Sequence, residues 1–189
     1  MKTALITGAS SGIGKELAKK FANKGMDLLL VARREELLLK LKDEIEEKYE
    51  VNVYVYACDL SKDYKAVYDY AKSNYLDITV LVNNAGYGDY GKFIDADLDK
   101  LLGMIDLNNK ALVALTYYFV KDMRYRGYGH ISNVGSVASF IPGPYMGTYY
   151  ATKAFVLSFS LALREELKDE NINVSTLGPA PTKSDFWTR

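Results

Sequence analysis

The stretch Thr7-Gly8-Ala9-Ser10-Ser11-Gly12-Ile13-Gly14 closes a short apolar run and opens an amphipathic one, with its glycines in the spacing G-x-x-x-G-x-G. A strand before such a turn and a helix after it make an anion cradle. Glycine admits positive φ and lets a pyrophosphate approach the backbone, while the helix N-terminus contributes unpaired N–H groups and a partial positive charge. Ser10 and Ser11 add hydroxyl donors. Gly14-Lys15 also resembles the end of the nucleoside-triphosphate loop G-x-x-x-x-G-K-[ST]. That alternative fails at two positions, because Ala9 replaces the first glycine and Glu16 replaces the hydroxyl that would bind Mg²⁺. The turn therefore reads as a dinucleotide cradle built from Gly8, Ser10, Ser11, Gly12, Ile13 and Gly14.

Outward from the cradle, short β-type runs alternate with longer helical patterns. Strands are expected at 3–7, 27–32, 52–57, 79–82, 130–134 and 173–177, most of them rich in Val, Ile and Leu without strict alternation. Such runs suit strands buried on both faces of a parallel sheet. Helical patterns lie at 13–23, 35–49, 62–74, 97–125 (broken near Asn108) and 149–169. Right-handed crossovers place these helices on both faces, which predicts an α/β fold with a doubly wound, Rossmann-like parallel sheet. In that architecture the ligand lies beyond the carboxyl ends of the strands. No linker or low-complexity tract interrupts the pattern, so residues 1–189 are read as one dinucleotide-binding and catalytic domain.

Composition narrows the function. With 24 basic and 24 acidic side chains the chain has no basic excess, so no nucleic-acid partner is expected. The longest apolar stretches, such as 26–31 and 111–115, fall well short of the roughly 20 residues that span a bilayer. No membrane segment is expected, and the start of the chain lacks a signal-peptide core, so the expected compartment is the cytoplasm. The lone Cys58 excludes an internal disulfide and a cysteine-based zinc site, and the lone His130 argues against a multi-histidine metal site or a histidine-carried triad. No metal is expected.

The second strand ends in Val31-Ala32-Arg33-Arg34. An acid near this point accepts from the ribose 2′-OH of NAD, whereas arginine accommodates the 2′-phosphate of NADP. Two arginines and no acid favour NADP(H) over NAD(H). Cations beside a helix N-terminal dipole are unfavourable, so an anionic ligand accounts for their placement better than solvation does.

At this point the chain resembles the short-chain dehydrogenase/reductase family, from Lys2 to about Thr182. Several motifs carry the resemblance in the right order: the glycine loop, Asp59-Leu60 after the third strand, and Asn83-Asn84-Ala85-Gly86 after the fourth. Asp106-Leu107-Asn108-Asn109, Ser136 in Asn133-Val134-Gly135-Ser136, and the Y-x-x-x-K pair Tyr149 and Lys153 complete the set. The resemblance implies that Asp59 and Leu60 border the adenine and that Asn84, Ala85 and Gly86 line the cofactor. It also implies catalytic roles for Ser136, Tyr149, Lys153 and Asn108, with Lys153 binding the nicotinamide ribose.

The chemistry supports these roles independently. Reducing a carbonyl by hydride requires a proton donor to the developing alkoxide, and a free tyrosine is too weak a base for the reverse reaction. Tyr149 and Lys153, four apart, share a helix face, so the ammonium is expected to favour the phenolate. Ser136 is placed to hold the substrate oxygen, and Asn108 to anchor a water that links Lys153 to solvent.

Two departures from the family stand out. Pro179-Ala180-Pro181-Thr182 has alanine where the family's P-G-x-x-T segment has glycine, although Pro179 and Thr182 remain as cofactor contacts. The sequence also ends at Arg189, before the helices and seventh strand with which family members usually continue, so the sheet is expected without that C-terminal strand. The sequence thus predicts an oxidoreductase moving hydride between NADP(H) and a small-molecule carbonyl or alcohol. The alternatives are a catalytically idle nucleotide-binding regulatory protein and an epimerase-like relative with tightly bound NAD. The long helix at 149–169 carries apolar residues on more than one side, which predicts a homodimer or homotetramer.

Overall fold

In the computed structural model, residues 2–180 are described, and they form β1 (Lys2–Thr7), α1 (Gly12–Ala22), β2 (Asp27–Ala32), α2 (Glu35–Lys48), β3 (Val53–Ala57) and α3 (Tyr64–Ser73) in the first half. The second half contributes β4 (Asp77–Asn83), α4 (Leu98–Ile105), α5 (Leu112–Arg126), β5 (Gly129–Val134), α6 (Gly147–Leu167) and β6 (Ile172–Leu177). The strands pair in parallel in the order β3-β2-β1-β4-β5-β6, the doubly wound arrangement expected from the sequence. Chain direction across the sheet reverses between β1 and β4, so their carboxyl ends frame the crevice.

Successive residues of a strand face opposite sides, and β1 shows the consequence. Ala4 and Ile6 pack with Leu28, Leu38, Leu41 and Ile45 on one face, while Leu5 packs with Leu81, Leu115, Phe119 and Ile131 on the other. A strand sandwiched in this way cannot alternate polar with apolar, which is why β2, Asp27–Ala32, is buried at every position.

The crevice is fastened by one hydroxyl. Thr7 Oγ1 donates to Val82 O and accepts from the N–H groups of Asn84 and Ala85, and Asn84 Nδ2 donates back to Thr7 O at 2.9 Å. These bonds tie the glycine loop after β1 to the Asn-Ala-Gly turn after β4.

The helical pattern at 97–125 is not broken at Asn108. It continues through a single π-helical stretch, Asp106–Ala111, between α4 and α5. The wider turn turns both asparagine side chains of that stretch inward, where they are buried. Among the described residues no helix is long and apolar enough to cross a membrane, and no cluster of acidic, histidine or cysteine side chains could hold a metal ion.

Candidate active site

One cleft at the carboxyl ends of the strands gathers nearly all the residues singled out in the sequence. Gly8, Ser10, Ser11, Gly12 and Ile13 line it from the first loop, Arg33 and Arg34 from the end of β2, and Asp59 and Leu60 from beyond β3. Asn84, Ala85 and Gly86 enter from the loop after β4, Ser136 from the end of β5, Tyr149 and Lys153 from α6, and Pro179 from beyond β6. Gly14 does not line the cleft. A Cβ there would lie 2.6 Å from Asn84 Nδ2 and collide with the carbonyl of Gly8, so this glycine lets the start of α1 pack closely on the loop that follows β1. Asn108 lies beneath the cleft, and Thr182 falls outside the described residues.

The glycine loop has the features of an anion site. Gly8 and Gly12 adopt φ of 66° and 55°, values that favour glycine, and a Cβ on Gly8 would stand 2.9 Å from Ala85 Cα. At the start of α1, Ser11 makes no side-chain cap and the first turn holds no acid of its own. The two serine hydroxyls have a protein partner that the sequence did not suggest. Arg34 Nη2 donates to Ser10 Oγ at 3.1 Å and to Ser11 Oγ at 3.0 Å, so Arg34 braces the loop, while the neighbouring Arg33 is exposed at the cleft edge. Burial works against the charge of Asp59, but hydrogen bonds from Ser61 and the field of Arg33 hold its carboxyl below the usual range.

At the opposite end of the cleft, Tyr149, Lys153, Ser136 and Asn108 are all buried. The side chain of Ser136 lies close enough to the Tyr149 hydroxyl to oppose its rise, and Ser136 Oγ accepts from Ala138 N at 3.1 Å. Lys153 Nζ donates to Val134 O at 2.9 Å and stands 5.9 Å from the centre of the Tyr149 ring. Burial pushes this ammonium down to about 8. A Cβ on Gly86 would approach Asn108 Oδ1 to 2.9 Å and Lys153 Nζ to 3.8 Å, so the glycine keeps open the corner where both side chains meet the cleft.

One expectation is corrected by the burial of this cluster. Lys153 was expected to lower the Tyr149 phenol, but burial dominates and holds the phenol above its ordinary value, with the Ser136 side chain opposing it. The side chain of Asn108 makes three hydrogen bonds within the protein. Its Oδ1 accepts from Tyr87 N at 3.1 Å, and its Nδ2 donates to Tyr87 O at 2.9 Å and Thr152 Oγ1 at 3.0 Å. Asn108 therefore staples the loop after β4 to α6, with both amide hydrogens used and one lone pair of Oδ1 left over.

The sequence reading missed the residues that hold the Tyr149–Lys153 turn of α6 in place. Thr152 Oγ1 donates to the carbonyl of Tyr149 at 2.7 Å, and the Thr152 carbonyl accepts from Asn109 Nδ2 at 2.9 Å. Ser139 Oγ donates to the carbonyl of Lys153 at 2.8 Å and accepts from Ser136 N at 3.3 Å, joining the loop of one functional side chain to the helix of two others. The serine spacing of a capping box, Ser136 to Ser139, was the available signal.

A sequence model described as short chain dehydrogenase matches residues 2–189 of this chain. The chain belongs to the short-chain dehydrogenase/reductase family. It is 38% identical over 178 residues to a very-long-chain 3-oxoacyl-CoA reductase of Laccaria bicolor, an alignment covering 92% of this chain and 53% of that protein. The chain thus spans about half the length of that relative. Among solved structures, a short-chain dehydrogenase from Sphingobium yanoikuyae in complex with NADPH superposes with a TM-score of 0.95 at 38% identity, covering all of this chain and 74% of that one. The bulky-bulky ketone specific alcohol dehydrogenase from Comamonas testosteroni gives a TM-score of 0.91 at 37% identity, covering 97% and 74%.

Proposed function

We propose that this short-chain dehydrogenase/reductase moves a hydride between NADP(H) and a carbonyl or alcohol substrate, with Tyr149 as proton donor and acceptor. The observation that carries the reading is the buried cluster of Ser136, Tyr149 and Lys153 at the inner end of the glycine-loop cleft. The bound nicotinamide supplies or accepts the hydride. The chain's own residues do the rest. Ser136 and Tyr149, neighbours in the same cleft, present two hydroxyls to one substrate oxygen. A phenol held above its usual value by burial is protonated at neutral pH, so Tyr149 is in the state needed to donate to a developing alkoxide. Lys153 places positive charge beside the ring and supplies donors for the ribose hydroxyls. Absorbance of NADPH followed across a panel of carbonyl compounds tests the assignment, and tight NADPH binding with no turnover on any of them would favour the idle regulatory reading instead.

NADP(H) is favoured over NAD(H) because Arg33 is exposed at the rim while Arg34 is engaged by the two serines, leaving Arg33 to meet a 2′-phosphate. The NADPH complex of the Sphingobium neighbour agrees with this. Replacing Arg33 by Asp is expected to weaken NADPH by roughly 10- to 100-fold relative to NADH, the loss of a charge-assisted bond. An unchanged ratio of the two dissociation constants, measured by fluorescence titration, would show that the phosphate is read elsewhere.

We also propose that the protein is a homodimer or homotetramer. Ala151, Ala154, Phe155, Ser158, Leu161 and Ala162 form an exposed, uncharged stripe over three turns of α6. Phe159, in contrast, is half-buried against Phe155. Sedimentation at micromolar concentration is expected to give a multiple of the 21.2 kDa chain mass, and a monomer at all concentrations would refute it.

A further inference from the structure

Residues 137–146 leave the catalytic Ser136 and return to the helix that carries Tyr149, so this loop must rim the point where the two hydroxyls meet. It contains no charged residue. Its Phe140, Ile141 and Tyr145 side chains are 70%, 61% and 53% exposed. The loop after Gly86 faces it and is fastened to it. Gly91 N donates to Tyr145 O at 2.9 Å, and the rings of Tyr90 and Tyr145 lie 5.7 Å apart. Tyr145 takes φ of 65°, a left-handed conformation that a tyrosine adopts only where its surroundings enforce it. At the inner side, Gly143 packs so closely on the ring of Tyr150 that a Cβ would collide with it, and Tyr150 in turn lies edge-on to Tyr149 at 6.0 Å. The apolar rim is therefore continuous, ring by ring, with the reacting hydroxyl.

Charge on the facing loop excludes one class of occupant. Residues 87–97 carry Asp89, Asp95 and Asp97 against the single cation Lys92, and the nearby Lys100 is spent on Asp89 at 2.7 Å. Along these two loops, beyond the reach of Lys153, a carboxylate or phosphate on the substrate arm would meet three aspartates against Lys92 and no arginine.

We propose that the substrate of this site carries, next to the carbonyl, an uncharged apolar arm that lies along Phe140, Ile141 and the Tyr90–Tyr145 pair. This rests on the reading of the chain as a carbonyl reductase and names its substrate class: esters, thioesters or ketones with an aliphatic or aromatic substituent, and not free oxo-acids or polyols. Burying each further methylene of such an arm is worth about 0.8 kcal/mol, close to fourfold in affinity.

The test compares methyl 3-oxobutanoate, methyl 3-oxohexanoate and methyl 3-oxooctanoate with the free 3-oxo acids, using NADPH absorbance. Expected is a rise in kcat/KM of at least tenfold from the shortest to the longest ester, with each free acid poorer than its ester. A Phe140→Ser, Ile141→Ser double variant should cut the long-to-short ratio at least fivefold. A flat dependence on length, or preference for the free acids, overturns the proposal. Calorimetric titration of the NADPH-loaded protein with methyl butanoate and methyl octanoate, neither of which is reduced, separates the two readings. Tighter binding of the longer ester, weakened in the double variant, supports the lane even if no oxo-ester turns over and the reductase reading fails. Equal binding of the two plain esters sinks the lane whatever the turnover.

Discussion

Tyr149→Phe is expected to lower turnover of any accepted carbonyl substrate by roughly 10²- to 10⁴-fold, the usual contribution of a positioned general acid. NADPH affinity should stay within a few-fold, because the deleted hydroxyl faces Ser136 and the substrate oxygen rather than the glycine loop. The ring remains to pack against Met104 and Ala138, so folding should survive the change at a cost of about 1 kcal/mol for one lost hydrogen bond. Tyr150→Phe is the matched control, since Tyr150 is the neighbouring ring but is out of phase with Lys153. Single-turnover measurement with saturating NADPH decides the matter. Parent-level reduction by the Tyr149→Phe protein would remove this residue from the chemistry.

Lys153→Met should also abolish most turnover, again by roughly 10²-fold or more, and it should do so without a matching loss of stability. Burial lowers the Lys153 ammonium from its ordinary 10.5 to about 8, which corresponds to about 3 kcal/mol charged against the folded state at neutral pH. The sign follows from proton binding. The folded value lies below the unfolded one, so the penalty is complete below pH 8 and is relieved as the pH rises from about 8 to 10.5. Methionine removes that penalty but leaves Val134 O without its donor, a loss of about 1–3 kcal/mol. The two nearly cancel at pH 7. Chemical denaturation should therefore show the variant no less stable than the parent by more than about 1 kcal/mol at pH 7. Between pH 8 and 10 the parent should gain stability relative to the variant. A variant several kcal/mol weaker at neutral pH would mean that Lys153 is a structural residue first.

The same contrast between burial and function explains what could be read from the chain directly. Thr7 to Gly14 was legible because a glycine loop is a backbone device: Gly8 and Gly12 are required by φ, Gly14 by the approach of α1 to β1, and no distant partner has to be known. The strands were legible for a similar reason, since β2 is uniformly apolar wherever a sheet is covered on both faces. Tyr149 and Lys153 could be paired from their spacing of four, a property of any helix. The role of Arg34 could not. Whether it meets a phosphate or the serines of the loop depends on how β2 lies beside β1, 23 residues away from Ser11.

Local periodicity and backbone chemistry, which act between near neighbours, thus determined the sheet and the position of the cleft, while the order of motifs shared with the family picked out its principal side chains. Only the tertiary structure decided their electrostatics and support. The phenol of Tyr149 rises and the amine of Lys153 falls because both are removed from water by segments as distant as Met104 and Val134. Asn108 is a staple because Tyr87 and Thr152 reach it from two other elements, and Ser139 joins Ser136 to Lys153 because α6 docks against the turn after β5. Desolvation and hydrogen bonding between segments depend on the packed arrangement of the whole chain, and no local pattern of residues encodes them.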